Sequence, residues 1–182
     1  KIINENNGNI KVSKNNIAIL GTSVENQGNI EVNTAGTAIY SNGGTVNLLS
    51  GDITLKGGSQ NNETKGVILN GTNQTLNRVG GNINSEDYSH VIVNTGSGNT
   101  INLAGSDVVL KNNSIYTYSN DVNSKIYNNT NLKFDGTRGE NLGIYSNGLV
   151  ENYANIDLTK GYGNIGIYSY GQKAKNTGII TV

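Results

Sequence analysis

The chain has no cysteine, proline, methionine or tryptophan, and only one phenylalanine and one histidine. Without cysteine it needs no disulfide to fold, and its composition carries no record of a redox compartment. Apolar residues fill 34% of its 182 positions, too few for an ordinary globule of this length. Charge is scarce and balanced, with 13 basic and 13 acidic residues and no long block of either sign. A nucleic-acid partner, which requires a cationic patch, is therefore not expected. No stretch approaches the roughly 18 consecutive apolar residues of a membrane span, and the residues after Lys1 do not have the form of a signal peptide.

What the chain has in abundance is asparagine, 34 residues, beside 25 glycines. Such a bias could signal disorder, but disordered chains are poor in Ile, Val and Tyr. Here those residues return in short runs, and the runs repeat. The phrase Gly8-Asn9-Ile10-Lys11-Val12 recurs as Gly28-Asn29-Ile30-Glu31-Val32, and its relatives place an aliphatic residue at Ile53, Ile83, Val108, Leu132, Ile156 and Ile180. The spacings range from 20 to 30 residues and average about 24. A second phrase alternates with the first without a break: Ala18-Ile19-Leu20-Gly21, Ala38-Ile39-Tyr40-Ser41, Gly66-Val67-Ile68-Leu69, His90-Val91-Ile92-Val93, Tyr116-Thr117-Tyr118-Ser119, Gly143-Ile144-Tyr145-Ser146 and Gly166-Ile167-Tyr168-Ser169. Four residues before the anchoring aliphatics stand Asn6, Asn26, Leu49, Val79, Ala104, Asn128, Asn152 and Asn176, a column read as an asparagine ladder at a bend.

Apolar side chains two apart, separated by polar ones, have the period of a strand with one dry and one wet face. Each run lasts three to five residues and ends in Gly, Asn, Asp or Ser, which favour turns. A repeat of this length holds three short strands and three turns. The expected fold is therefore all-β: a parallel β-helix of seven to eight rungs, right-handed by the usual preference of parallel crossovers. Residues 1–182 read as one continuous segment, already in mid-repeat at Ile10 and so expected to belong to a longer protein. Ile10, Ile30, Ile53, Ile83, Val108, Leu132, Ile156 and Ile180 should form one interior line. Val12, Val32, Leu55, Leu110, Phe134, Leu158 and Val182 should form its neighbour, with Ser85 as a polar lapse. Polar insertions are expected to leave the coil at turns near 56–65 and 135–141.

No constellation of residues announces catalysis. His90 has Glu86 and Asp87 nearby in sequence, but no spacing typical of a triad or a metal cage accompanies them. Asp52 and Asp107 share a repeat position that Asn131 and Asn155 also fill, so that position reads as a turn preferring Asn or Asp. The two carboxylates would lie about 10 Å apart along the stack, without accompanying cations for glycoside hydrolysis. Phosphate-binding, dinucleotide and EF-hand loops are missing. No catalytic residue, cofactor or metal is therefore expected. Tyrosine, used ten times, is the remaining signal. Tyr40, Tyr118, Tyr145 and Tyr168 share a column, with Leu20, Ile68 and Ile92 on its other rungs, and that column should face outward. Ile39, Val67, Val91, Ile144 and Ile167 should face the interior. Tyr145, Tyr153, Tyr162, Tyr168 and Tyr170 form the candidate contact surface, through aromatic stacking on a glycan or protein.

Gly143-Ile144-Tyr145-Ser146-Asn147-Gly148, Val150-Glu151-Asn152 and Ala154-Asn155-Ile156-Asp157-Leu158 resemble the passenger repeats of large fusobacterial autotransporter adhesins. Gly166 to Ser169 and Asn176 to Ile179 share that style, and the resemblance spans essentially the whole chain. It implies a β-helical passenger displayed at the cell surface from a C-terminal outer-membrane barrel that lies outside this segment. The implied function is a non-catalytic, adhesive stalk that attaches to a glycan or protein on host cells or other bacteria, a virulence role. Two alternatives stand beside it: a polysaccharide-active β-helix enzyme, and a passive spacer with no ligand.

Overall fold

The computed structural model describes residues 1–182 and contains 23 strands and no helix. They form three all-parallel sheets of eight, eight and seven strands, in which every third strand in sequence lies side by side. The chain is a parallel β-solenoid of about eight turns with three strands per turn. One rung runs from Val24–Asn26 in the first sheet to Asn29–Asn33 in the second and Thr37–Ser41 in the third. The next repeats this with Thr45–Leu48, Ile53–Lys56 and Thr64–Leu69.

The second sheet carries both predicted interior lines. Ile10 pairs with Ile30, Ile30 with Ile53, Ile53 with Ile83, Val108 with Leu132, Leu132 with Ile156 and Ile156 with Ile180. Val12, Val32, Leu55 and Ser85 follow in register, as do Leu110 and Phe134. Ser85 is buried like its aliphatic neighbours. From Ile30 to Ile156 and from Val32 to Phe134 the apolar members of these lines belong to one continuous cluster of 27 buried apolar residues, to which the first sheet contributes Val24, Val46, Leu76, Ile101, Ile126 and Val150. At the ends the expectation is not met: Ile10, Val12 and Leu158 are only partly buried, and Ile180 and Val182 are exposed, because no further rung covers them. No single rung could shield this surface, so stability resides in contacts between rungs.

The third sheet departs from simple alternation, and the expected column shifts by one residue in one rung. Val93, not Ile92, pairs with Ile68 and Tyr118, while Ile92 joins Val67 and Thr117 in the interior. Two consecutive residues point inward at the same place in each rung: Ala38 with Ile39, Val91 with Ile92, Tyr116 with Thr117. The strand therefore kinks there, and a sequence reading based on period two cannot place H-V-I-V uniquely. Ala or Gly fills the first of these two positions in all rungs but those of Val91 and Tyr116, and at two of the glycines the reason is steric. A Cβ on Gly66 would sit 2.4 Å from the Val91 carbonyl oxygen, and one on Gly143 2.4 Å from that of Gly166.

The corner between the first and second sheets holds the asparagine ladder, at positions that differ from the expected ones. The column is Asn4, Asn26, Leu48, Arg78, Leu103, Asn128, Asn152 and Asn176. Asn6, Leu49, Val79 and Ala104 are therefore not members, and Val79 is in fact exposed. The counting fails because the corner varies in length, with five residues between Asn4 and Ile10 and three or four in the later rungs. After Asn26, Asn128, Asn152 and Asn176 three residues intervene before the next aliphatic. After Leu48, Arg78 and Leu103 four intervene, one of them a left-handed glycine: Gly51 at φ 74°, Gly81 at 74°, Gly105 at 96°. In the short corner the Asn amide donates two residues ahead, to Gly28, Thr130, Ala154 or Gly178 carbonyls at 2.8–2.9 Å. Where another Asn follows in the next rung the ladder amide also donates to it, from Asn128 to Asn152 and Asn152 to Asn176 at 2.6 Å, and at the longer first corner from Asn4 to Asn26 at 2.8 Å.

The other two corners are buried polar zippers that the sequence reading did not anticipate. Between the second and third sheets, the Thr64 and Ser89 hydroxyls meet at 3.2 Å, Ser89 N–H donates to Ser114 Oγ, and Ser114 N–H donates to Asn141 Oδ1 at 2.9 Å. Between the third sheet and the next rung, Asn94 donates to Ser119, Asn99 to Asn94, and Gln74 to Ser41. The corners thereby satisfy most of the polar groups they bury, the exceptions being Arg78 Nε and Asn147 Oδ1, which have no partner.

Candidate functional site

Arg78 is the one charged side chain sealed in the interior, at 1% exposure. It replaces Asn in the corner ladder, and its guanidinium spans three rungs. One terminal nitrogen donates to the Ala104 carbonyl at 2.8 Å and the Thr130 hydroxyl at 3.0 Å; the other donates to the carbonyls of Gly81 and Ser106, both at 2.9 Å. No carboxylate pairs with it. The fully buried Tyr116 hydroxyl lies beside Arg78 and Thr130. Burial pushes its pKa up, against the pull of the neighbouring cation. This cluster ties rungs together from within, and Arg78 itself is closed off from solvent.

The outer face of the second sheet carries ladders instead of a cleft. Asp52 Oδ1 accepts from the Asn82 amide nitrogens at 3.1 and 2.9 Å. Asp107 accepts from Asn131 at 3.0 Å and from Lys133 at 2.7 Å. The Lys133 and Asn131 hydrogen bonds hold the Asp107 carboxyl below its ordinary range, the opposite of what a general acid needs. A shallow hollow of about 300 Å³ lies above this row, lined by Asp107, Lys133, Asn155 and Asp157 among others. His90 sits on the outer side of the third sheet with Lys65 and Ile115 as its strand partners. Burial lowers its pKa, Glu63 opposes that shift and Lys65 adds to it. Glu86 and Asp87 do not join it: the Glu86 carbonyl accepts from Ser89 and Ser114, and the Asp87 carboxylate from Asn112. No group of three or more His, Cys, Asp or Glu residues is placed to hold a metal ion.

The candidate tyrosines fall into two places. Tyr118, Tyr145 and Tyr168 stack on the outer face of the third sheet, with centroids 4.9 and 5.2 Å apart and planes inclined by 14° and 6°. Both faces of Tyr145 are thus covered by neighbouring rings. Tyr40 shares the column but is separated from this ribbon by Ile68 and Val93. Tyr170 directly follows the last strand of the same sheet, its N–H donating to the Ser146 carbonyl at 3.0 Å, and is highly exposed. Tyr162 lies before that strand, bridged to Gly139. Tyr145, Tyr162, Tyr168 and Tyr170 therefore all belong to the third-sheet side of the last rungs.

Tyr153 stands apart, at the corner between the first and second sheets. Its hydroxyl donates to the Glu151 carboxylate, which pushes the phenol pKa up. Lys175 Nζ lies 5.7 Å from its ring centroid. Compared with known proteins, the chain matches no family model, no curated protein and no solved structure.

Proposed function

We propose that this solenoid is a non-catalytic stalk segment of a surface-displayed passenger, and that its third-sheet side contacts a glycan or protein on host cells or other bacteria. The observation that carries the reading is the closed construction of the coil. Its interior is filled by one continuous apolar cluster and its corners by hydrogen-bonded polar columns. Groups that could interact with a partner are left mainly on the outer faces. The resemblance to autotransporter passengers falls on the same elements, since Gly143 to Ser146 and Gly166 to Ser169 are adjacent strands in register. Display outside the cell, with anchoring by a barrel elsewhere in the protein, belongs to this reading.

A second reading is favoured by the stacked tyrosines. Because Tyr145 spends both ring faces on its neighbours, the ribbon also serves stability alone, as in a passive spacer. Binding of the purified fragment to glycan arrays and to epithelial and bacterial cells separates the two. The adhesive reading expects binding that Tyr168→Ser with Tyr170→Ser abolishes while circular dichroism stays unchanged. Absence of wild-type binding in every format would leave the spacer.

A further inference from the structure

Asparagine precedes glycine four times, at Asn7-Gly8, Asn42-Gly43, Asn70-Gly71 and Asn147-Gly148. In this dipeptide the glycine backbone nitrogen can attack the asparagine side-chain carbonyl, because the second residue has no Cβ to obstruct the approach. An N–H already engaged as a donor resists that attack, since the bond must break before the nitrogen becomes a nucleophile. Three of the four nitrogens are engaged. Gly8 N–H donates to the Glu5 carbonyl at 2.7 Å, Gly71 N–H to Gln74 Oε1 at 2.6 Å, and Gly148 N–H to Ser146 Oγ at 3.0 Å. Gly43 N–H has no partner.

The surroundings single out the same site. A Cβ on Gly43 would meet nothing nearer than Thr22 at 3.8 Å, whereas at Gly8, Gly71 and Gly148 it would meet atoms at 2.0, 2.5 and 2.2 Å. Asn42 is exposed, and its side chain makes no hydrogen bond. Its counterparts in later rungs are held: Asn70 accepts from Thr95 at 2.9 Å and Asn147 donates to Asn120 at 2.6 Å. The corner is fixed through the Gly43 carbonyl, which accepts from Ser41 and Gln74 at 2.9 Å each, so the chain is positioned without tying up the amide.

We propose that Asn42 is a selective deamidation site of the folded protein. The Gly43 nitrogen gives its proton to solvent and bonds to Asn42 Cγ; the Cγ–Nδ2 bond breaks, and Nδ2 leaves as ammonia after taking up a proton. Water then opens the cyclic imide, at one carbonyl to give aspartate and at the other to give β-linked isoaspartate. The product adds a negative charge to an exposed corner, and the isoaspartyl form also lengthens the backbone between the second and third rungs.

The test is peptide mapping by mass spectrometry during incubation of the folded chain at mildly alkaline pH, with a parallel sample in concentrated urea. In the folded sample Asn42 converts about tenfold faster than Asn7, Asn70 or Asn147, a ratio equivalent to about 1.4 kcal/mol in the barrier. In urea the four sites converge. Gly43→Ala, whose added methyl enters open space at a φ outside the left-handed region, keeps the circular dichroism spectrum and slows conversion at Asn42. Conversion at Asn42 no faster than at the other three in the folded chain, or unchanged by Gly43→Ala, overturns the proposal.

Discussion

Replacing Asn152 by alanine should unfold the C-terminal rungs far more readily than replacing any outward-facing asparagine. Asn152 is fully buried and makes three side-chain hydrogen bonds: to the Ala154 carbonyl at 2.8 Å, to Asn176 Oδ1 at 2.6 Å, and from Asn128 Nδ2 at 2.6 Å. Each is worth about 1 kcal/mol net, and buried partners left unpaired add to the loss, so Asn152→Ala should cost about 3–5 kcal/mol. Asn77 makes two comparable bonds in the outward ladder, to Asn47 at 3.0 Å and from Asn102 at 2.8 Å. Water can replace those partners, so Asn77→Ala should cost under about 1 kcal/mol. Asn152→Leu should fail like Asn152→Ala, even though Leu48 and Leu103 occupy the same column, because a short corner depends on the amide's bond two residues ahead. Grafting the four-residue corner Ala104–Asp107 in place of Tyr153–Asn155 should rescue Asn152→Leu by supplying the left-handed glycine. Urea denaturation gives the overall shift, and hydrogen exchange localises it, since a stack of rungs need not unfold in one step. Equal shifts for Asn152→Ala and Asn77→Ala, or no rescue by the longer corner, would refute the reasoning.

Two further outcomes follow from single positions. Ser85 interrupts an aliphatic line, and its hydroxyl has only a long 3.4 Å bond to the Glu86 carbonyl, so Ser85→Val should raise the unfolding free energy by about 1 kcal/mol, read as a higher urea midpoint; a lower midpoint would mean that the site has no room for the added methyls. His90 has a depressed pKa in the folded chain, chiefly through burial, so the unfolded chain takes up a proton first as pH falls. The associated stability is present above about pH 6.5 and is lost as pH drops towards the folded value; His90→Gln should flatten this part of a stability–pH profile, and an unchanged slope would place its origin elsewhere.

The second sheet was the most legible part of the sequence, because its I-x-V phrase shows both the strand period and the rung period in the same residue types. The first sheet was recognised only through its closing asparagines. Its interior line of Val24, Val46, Leu76, Ile101, Ile126 and Val150 lies among varied polar neighbours, and the phrase V/L/I-N/E-N/L was the signal available. Counting back a fixed four residues misplaced Leu49, Val79 and Ala104, since a left-handed glycine adds a residue to those corners, and Asn6, since five residues separate Asn4 from Ile10. The kink in the third sheet turned two successive residues inward, which hid the one-residue shift that puts Ile92 in the interior column and Val93 in the outer one. The serine-rich zippers of the other corners looked like ordinary turn residues, because Ser and Thr serve both purposes. Arg78 gave no warning of burial: carbonyls from two rungs and a hydroxyl from a third converge on it, which a linear reading does not display. The tyrosine stack at 118, 145 and 168 was visible as a column, but not the consumption of ring faces that stacking entails.

The most direct test of rung-on-rung stacking uses the absence of native cysteine. Asn77 and Asn102 are register partners on the outer face of the first sheet, separated by about one strand spacing of 4.8 Å, within reach of a disulfide. Asn47 and Asn102 are two rungs apart, about 10 Å, and out of reach. Mild oxidation should therefore close an intramolecular disulfide in the Asn77→Cys, Asn102→Cys chain and not in the Asn47→Cys, Asn102→Cys chain. Closure of the second pair with failure of the first would contradict the stacked solenoid.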